Sequence, residues 1–407
     1  MTSNVWIAGV GMTPFGIHTQ LSVKQLTERS VRDALADAEA QTSDVEAAFF
    51  ANTTQSPLEG QHMVAGQIAL REMGIQGIPV VNVENACASG ASALHLAVAY
   101  VRSGAADVVL AVGAEKMNIE PRGRAMAVFD GAYDVSAPDE LARVLRELGG
   151  DAAKPEGASS VFMDIYAAMA RSHMEQFGTT QRQIAAIAEK NHRHSVENSR
   201  AHYRKAMSVD EILGARALAY PLTVPMCAPL TDGSAAVLVC SDRGRERLGG
   251  SATVRVLSTA LATGSDRDFT RFDGLVSGVA AERAYDQAGL GPEDIDVAEV
   301  HDATAFGELL QLEALGLFAQ GTAAAAGERG ETALGGRLPV NPSGGLESKG
   351  HPLAATGLGQ VFELTEQLRG AAGARQVAGA RIALAENGGG FHRGEEAVAS
   401  VMILGAQ

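Results

Sequence analysis

Short apolar runs alternate with amphipathic stretches from the first residues onward. VWIAGVGMT at Val5 reads as a buried strand closing on glycine, and LTERSVRDALADAEA, Leu26 to Ala40, repeats its apolar positions at helical spacing. VEAAFFANTT returns to strand. The segment VNVENACASGASALHLAVAYV, Val81 to Val101, turns a polar strand end into an apolar helix that Gly104 stops, and ADVVLAVGAEKM follows as a continuous apolar strand. From about Asn118 the texture changes to Gly-rich and charged pieces. Two amphipathic segments follow, FMDIYAAMARSHMEQFG and RQIAAIAEKNHRHSVENSRAHYRKAM, each predicting a helix. DGSAAVLVCS, Asp232 to Ser241, is again a buried strand, and the Ala/Gly run Ala319 to Gly336 predicts a surface loop.

The pattern then repeats. ALADAEAQTSDVEAAFFAN from Ala34 lies on AYDQAGLGPEDIDVAEVHD from Ala284 without a gap, pairing Ala38 with Ala288, Asp44 with Asp294 and Ala48 with Ala298. The Val81–Val101 helix and its following strand find a partner in GHPLAATGLGQVFELTEQLRG plus VAGARIALAENGGG. A chain of 407 residues is longer than one core usually grows. The simplest architecture is two similar α/β halves face to face. The first comprises residues 1–118 and 205–248, the second 249–407, and a helical insert occupies 119–204.

Composition narrows the partners. Hydrophobic residues make up 46%, charged residues 20% and aromatics 5%, with 46 glycines, as in a compact α/β protein rich in tight turns. A net charge of -15 argues against non-specific binding to nucleic acid or to an anionic membrane. Cys87, Cys227 and Cys240 show no CxxC spacing, so neither a disulfide framework nor a cysteine zinc site is expected. With no secretory signal pattern and no 18-residue apolar window, a cytoplasmic location is the expectation. Gly9 and Gly11 begin a GxG, but Pro14 stands where the third glycine of a dinucleotide fingerprint would fall, and no helix pattern starts there.

Four segments hold candidate chemistry. Cys87 sits at the start of a helix among Ala86, Ala88, Ser89 and Gly90; unpaired N–H groups there would favour thiolate, and small neighbours would admit a substrate. Free cysteine is also among the most buried residue types, so packing is the alternative. His351, between Gly350 and Pro352 in NPSGGLESKGHPLAATG, starts the helix that the repeat places opposite; an imidazole there could serve the thiol as base or merely cap a turn. His301 and Asp302 follow the strand IDVAEV, where α/β proteins place functional side chains, and His301 could donate to an oxygen that becomes negative or cap the next helix. In AENGGGF, Ala385 to Phe391, three glycines after an apolar strand let backbone N–H groups approach a ligand.

In this order the four segments resemble the thiolase superfamily along nearly the whole chain. NACASG looks like its acylated-cysteine motif, NPSGG with GHPLAATG like its histidine motif, and the terminal glycine run like its last loop; EVHD with EALGLF, and KNHRHSVENSRAHY with PLTVPMCAPLTDGSAAV, look like the sterol-carrier-protein type. The resemblance implies an α/β fold of duplicated βαβαβαββ halves, a five-layered α-β-α-β-α core with an inserted helical loop domain, usually dimeric. It implies that Cys87 is acylated, that His351 activates it, that His301 helps hold an enolate oxygen, and that the N–H groups of Cys87 and Gly390 form the oxyanion hole. Ser343 of NPSGG is expected at the substrate, and Met163 matches a methionine lining the pantetheine and acyl tunnel, with a plain core role as its alternative. Coenzyme A is then a co-substrate, and no bound cofactor or metal is expected.

The sequence departs from this pattern where the family carries a second cysteine for proton transfer. Those positions hold Ala303 and Glu386, and a buried Glu386 with a raised pKa could take the role. Three functions follow as expectations: an acyltransferase that cleaves or forms the carbon–carbon bond of a 3-oxoacyl-CoA, a thiolase-like aldolase or C-acyltransferase needing a small OB-fold/zinc-ribbon partner, and a silent scaffold. Arg193, Arg200 and Arg204, expected on one helical stretch, are candidates for the CoA phosphates, a solvated face being the alternative. His192 and His194 have no third ligand nearby to suggest a metal.

Overall fold

The computed structural model describes residues 4–149, 160–250 and 252–407. Its strands are β1 (Trp6–Met12), β2 (Ala47–Ala51), β3 (Val80–Val83), β4 (Val108–Glu115), β5 (Ala217–Ala219), β6 (Leu222–Thr223), β7 (Gly233–Cys240), β8 (Val254–Thr263), β9 (Val297–Glu299), β10 (Ile382–Gly389) and β11 (Val398–Ala406). β5 and β6 form a small hairpin; the others join in the order β3-β2-β4-β7-β1-β8-β11-β10-β9. The junction between halves is slight, since β1 and β8 pair only through Trp6 with Arg255 and Ile7 with Val254.

The two halves have matching plans. In the first, β3, β2 and β4 run parallel and β7 and β1 follow antiparallel; in the second, β9 and β10 run parallel and β11 and β8 follow antiparallel. Where β3 would have its counterpart, the second half keeps only a parallel bridge from Ala298 to Val340. The helices follow suit: Val23–Asp37 covers the outer face of the first half-sheet, Val276–Ala288 that of the second, and Ser89–Arg102 and Thr356–Leu368 lie between the sheets. The five-layered duplicated α/β arrangement results.

Local sequence explains the layers. β4 and β7 are buried along their whole length, as strands covered on both faces must be, and both are continuous apolar runs. Ser22 caps the Val23–Asp37 helix in a reciprocal box with Gln25. Gly9 and Gly11 serve that helix too: a Cβ on either would stand 2.2 Å from the Ala34 oxygen or 2.1 Å from the Ser30 oxygen, so the bare strand lets the helix settle close. In the central layer Ala93, Leu94, Ala97 and Val98 meet Ala354, Ala355, Leu358 and Val361 in one apolar core.

Two sequence expectations change. The second amphipathic segment is helical only over Gln181–Ser195, not to Met207. Beyond it the Asn198 amide donates to the Ser343 carbonyl at 2.8 Å, and the backbone N–H groups of His202 and Tyr203 donate to the carbonyls of Lys349 and Ser348. That stretch braces the loop before His351 instead of continuing a helix. The Ala/Gly run predicted as surface loop contains the helix Ala323–Glu328 with Ala323, Ala324 and Ala326 buried, because Glu313 accepts from the N–H groups of Gly321 and Ala323 and Ile187 packs against Gly327.

Gly113 tests the central layer. A Cβ there would lie 2.0 Å from the Ala354 oxygen, so Gly113→Ala forces the Leu353–Ala355 turn away from β4. Overpacking of this kind costs about 1–3 kcal/mol, expected as a lowered thermal midpoint in calorimetry.

Candidate active site

The chain enters the site from β3. Ala86 takes a positive φ of 49°, and Ala86–Ala88 form a single tight turn before the Ser89–Arg102 helix. Ser89 holds the turn: its hydroxyl accepts from the Asn85 N–H at 2.8 Å and donates to the Ala86 carbonyl at 2.6 Å. Cys87 stands on this turn, a free thiol. Burial pushes its pKa far up, and the carboxylates of Glu396 and Glu115 push the same way. These effects outweigh the helix terminus, which sequence reasoning expected to favour thiolate. To act as a nucleophile such a thiol would need a base.

His351 faces it from the opposite half. Its loop is clamped from the β9 end: the Ser343 hydroxyl donates to Glu299 at 2.7 Å, Lys349 pairs with Glu299 at 3.0 Å, and Asp302 accepts from the N–H of Leu346 at 2.8 Å. Gly345 must lack a Cβ, which would lie 2.1 Å from the Asp302 carboxylate. Within this frame the Thr356 hydroxyl gives its proton to the Pro352 carbonyl, so it accepts the Nδ1–H of His351 at 2.7 Å. That fixes the tautomer: Nε2 carries the lone pair and faces Cys87 Sγ at 3.3 Å. Burial, with His301 nearby, holds the His351 pKa well below the usual 6.5, keeping the imidazole neutral.

His301 completes the cluster. Its ring centroid lies 5.3 Å from that of His351, and the thiol and one nitrogen from each ring all fall within 4.8 Å of one another. Nδ1–H of His301 donates to Glu396 at 3.0 Å, while Nε2 is buried without a hydrogen-bond partner. Glu396 is the residue sequence reasoning missed. It lies just before β11, and Gly388 makes its place, since a Cβ there would come 2.1 Å from the Glu396 carboxyl carbon. The glycine run is thus divided in use. Gly389 allows β10 to touch the Asn85 carbonyl and the Ala88 nitrogen of the cysteine turn, and Gly390 takes a φ of 65° at the cavity wall. Two adjacent glutamates opening a buried strand, Glu395 and Glu396, were the available signal.

All three side chains line one cavity of about 1440 Å³. Phe129, Phe162, Met163 and Leu218 give it apolar walls, and Gly390 and Ala303 border it. Two expected residues stand elsewhere. Ser343 is fully buried between Glu299 and Lys349 and does not line the cavity. Glu386 is fully buried behind His301, accepting its backbone N–H at 2.9 Å; burial, and Glu396 beside it, raise its pKa well above the ordinary range, but it too is absent from the cavity lining. The three arginines also separate: Arg193 pairs with Glu189 on its own helix, Arg200 stacks on Phe362 at 4.8 Å, and Arg204 donates to the Val196 carbonyl. His192 and His194 serve the loops. His192 donates to the Pro225 carbonyl and accepts from Ser348, while His194 bonds Asn341 and Leu334, burial pushing its pKa down to about 3.

A thiol and an imidazole contributed by two copies of one α/β plan, meeting at the floor of an apolar cavity, define a duplicated cysteine–histidine α/β protein. The comparisons narrow this class: residues 5–213 match the family described as "Thiolase, N-terminal domain" and residues 258–406 that described as "Thiolase C-terminal domain-like". The chain belongs to the thiolase family. It is 38% identical over 396 residues to "Sterol carrier protein 2" of Oryctolagus cuniculus, covering 94% of this chain and 69% of that protein. It is 36% identical over 395 residues to an "Acetyl-CoA acetyltransferase" of Methanothermobacter thermautotrophicus, covering 95% and 96%. The solved structure of an "Ltp2-ChsH2(DUF35) aldolase" superposes with a TM-score of 0.75 over 99% of this chain and 98% of that one, at 24% identity, a likeness of fold.

Because His351 is held neutral below pH 6.5, the thiol keeps its base in mild acid. The rate of Cys87 acylation by a thioester should stay level from pH 8 to 6.5 and fall only as His351 protonates at lower pH, where a histidine of ordinary pKa would already be half lost at 6.5. Thr356→Val should free the imidazole to change tautomer and lower that rate about tenfold or more, read by stopped-time mass spectrometry.

Proposed function

We propose that this chain is a coenzyme A-dependent acyltransferase that cleaves or forms the carbon–carbon bond of a 3-oxoacyl-CoA through an acyl-Cys87 intermediate. The contact of Cys87 Sγ with the lone pair of His351 Nε2, at the floor of a cavity large enough for an acyl thioester, carries the reading. His351 takes the thiol proton as sulfur attacks the keto carbon. The N–H groups of Cys87 and Gly390 receive the negative oxygen that develops at the attacked carbonyl, and the one free nitrogen of His301, Nε2, faces the leaving enolate. The bond between carbons two and three breaks, an enolate leaves, and CoA then lifts the acyl group from sulfur. The walls at Met163, Phe129 and Phe162 take the acyl and pantetheine parts. The acetyltransferase relative supports acyl-CoA as the substrate class, and the family resemblance alone suggests a homodimer.

A second reading, an aldolase or C-acyltransferase assisted by an OB-fold/zinc-ribbon protein, is favoured by Ala303 at the place of a second thiol; Cys227 also lines the cavity but is not part of the Cys87–His301–His351 cluster. No helix among the described residues is long and apolar enough to cross a membrane.

Incubating the protein with a panel of acyl-CoA esters should add one acyl group, seen by intact mass and mapped to Cys87. Cys87→Ala should add none, and His351→Ala should acylate about 100-fold more slowly. Turnover of a 3-hydroxyacyl-CoA with no acyl-enzyme at any time would replace this reading with the aldolase.

A further inference from the structure

We infer that His301 and Glu396 work as one proton-carrying pair in place of the second thiol, with His301 Nε2 the atom that exchanges a proton with the carbon beside the thioester carbonyl. The inference deepens the acyl-cysteine reading and rests on it. His351 cannot do this work: once Cys87 is acylated it holds the thiol's proton, so it cannot take one from the carbon, and a proton given to the enolate would be missing when the Cys87 sulfur departs. Ala303 has none to give, Glu386 is turned behind the His301 backbone, and Cys227, though on the cavity wall, is outside the cluster around Cys87, with burial pushing its pKa far up.

Three observations point to the pair. His301 Nε2 is buried and unpartnered, on a ring that has a nitrogen within 4.8 Å of the thiol and lines the cavity, so it waits for a group that the cavity must bring. Its other nitrogen ends on Glu396 at 3.0 Å, which steadies the ring and offsets a positive charge on it. Glu396 is itself held by Gln311 at 3.0 Å and more distantly by Ser277 and Tyr166, over a glycine that leaves room only for this carboxylate. A carboxylate here opposes ionisation of Cys87, so it works against the nucleophile taken alone. The geometry gives it a use: it makes His301 a donor and then an acceptor.

Protons balance over the cycle. In cleavage the enolate carbon takes the Nε2 proton of doubly protonated His301, leaving acyl-CoA and a neutral ring still donating to Glu396 through Nδ1. In the second half, CoA thiol returns a proton to Nε2 and attacks the acyl-sulfur carbonyl, and the departing Cys87 sulfur recovers its proton from His351. Run backwards, Nε2 removes a proton from the methyl group of acetyl-CoA. Glu396 is the positioning residue.

The probe is acetyl-CoA in deuterium oxide, with acetylation of Cys87 and deuterium uptake into the acetyl methyl of free thioester followed in one sample. The wild type should show both. Glu396→Gln should slow acetylation, because Nε2 also gives the departing CoA sulfur its proton, and should lower deuterium uptake per acetylated protein by about 100-fold, and Glu396→Asp should recover a measurable part of both. Uptake by acetylated Glu396→Gln at the wild-type rate, or acetylated wild type without uptake, overturns the pair. Should Glu396→Gln also lose acetylation, Glu396→Asp decides: lowered uptake on an acetylated protein supports the pair, and unchanged uptake overturns it. A wild type that is never acetylated by acetyl-CoA overturns the acyl-cysteine reading beneath it, which the acetylation signal distinguishes.

Discussion

The approach of the Leu353–Ala355 turn to Gly90 and Gly113 is the constraint on which the site depends. At both glycines an added Cβ would collide with the Ala354 carbonyl, at 2.3 and 2.0 Å. Two bare backbones, one on a helix and one on a strand of the first half, thus admit the start of the second half's central helix. His351 precedes that turn and Cys87 precedes the helix of Gly90. Bringing the two helix starts into contact therefore brings thiol and imidazole to 3.3 Å. Backbone contact leaves little slack, since close-packed interiors cannot absorb an extra methyl without displacement.

The second frame is polar. The end of β9 carries His301 and also the two carboxylates, Glu299 and Asp302, that clamp the loop before His351. Both imidazoles therefore take their positions from one short segment. The network is almost wholly buried, with Asn191 donating to Asp302, Glu308 and Glu347, and Lys190 pairing with Glu308. Burial and neighbouring carboxylates raise the pKa values of Asp302 and Glu347 well above the ordinary range. Removing one partner would strand a charge in low dielectric, so such a network holds geometry through the penalty for disturbing it.

The electrostatics of the cavity oppose a resting thiolate and favour a resting neutral base. Burial acts on the two groups in opposite directions, raising the acid and lowering the base. Proton transfer from Cys87 to His351 is thus uphill until a substrate's developing charge is stabilised. Such an arrangement keeps the resting thiol protonated.

How much of this was legible beforehand follows from the range of each signal. Apolar periodicity and the gap-free repeat of Ala34–Asn52 on Ala284–Asp302 are local, and they foretold two α/β halves. Small residues around Cys87 and the GHP and HD motifs marked three side chains that meet in the cavity, because a tight turn at a helix start or strand end has a recognisable local chemistry. Spatial neighbours without sequence proximity stayed hidden. Glu396 reaches His301 across 95 residues, and Glu386, equally acidic and on the adjoining strand, turns away. Which of two glutamates faces the cavity depends on β10–β11 register and on a missing Cβ at Gly388. Ser343 looked like a substrate contact because its motif surrounds the site, yet its hydroxyl is committed to Glu299. The helix after Gln181 stopped early because the Ser343–Lys349 loop competed for its backbone. Sequence alone determined most of the elements and the Cys87 motif, whose causes lie within a turn or two of chain; only tertiary structure decided where the helix after Gln181 ends, the thiol's ionisation, the imidazole tautomer and His301's partner, because burial and long-range hydrogen bonds exist only once the halves have closed.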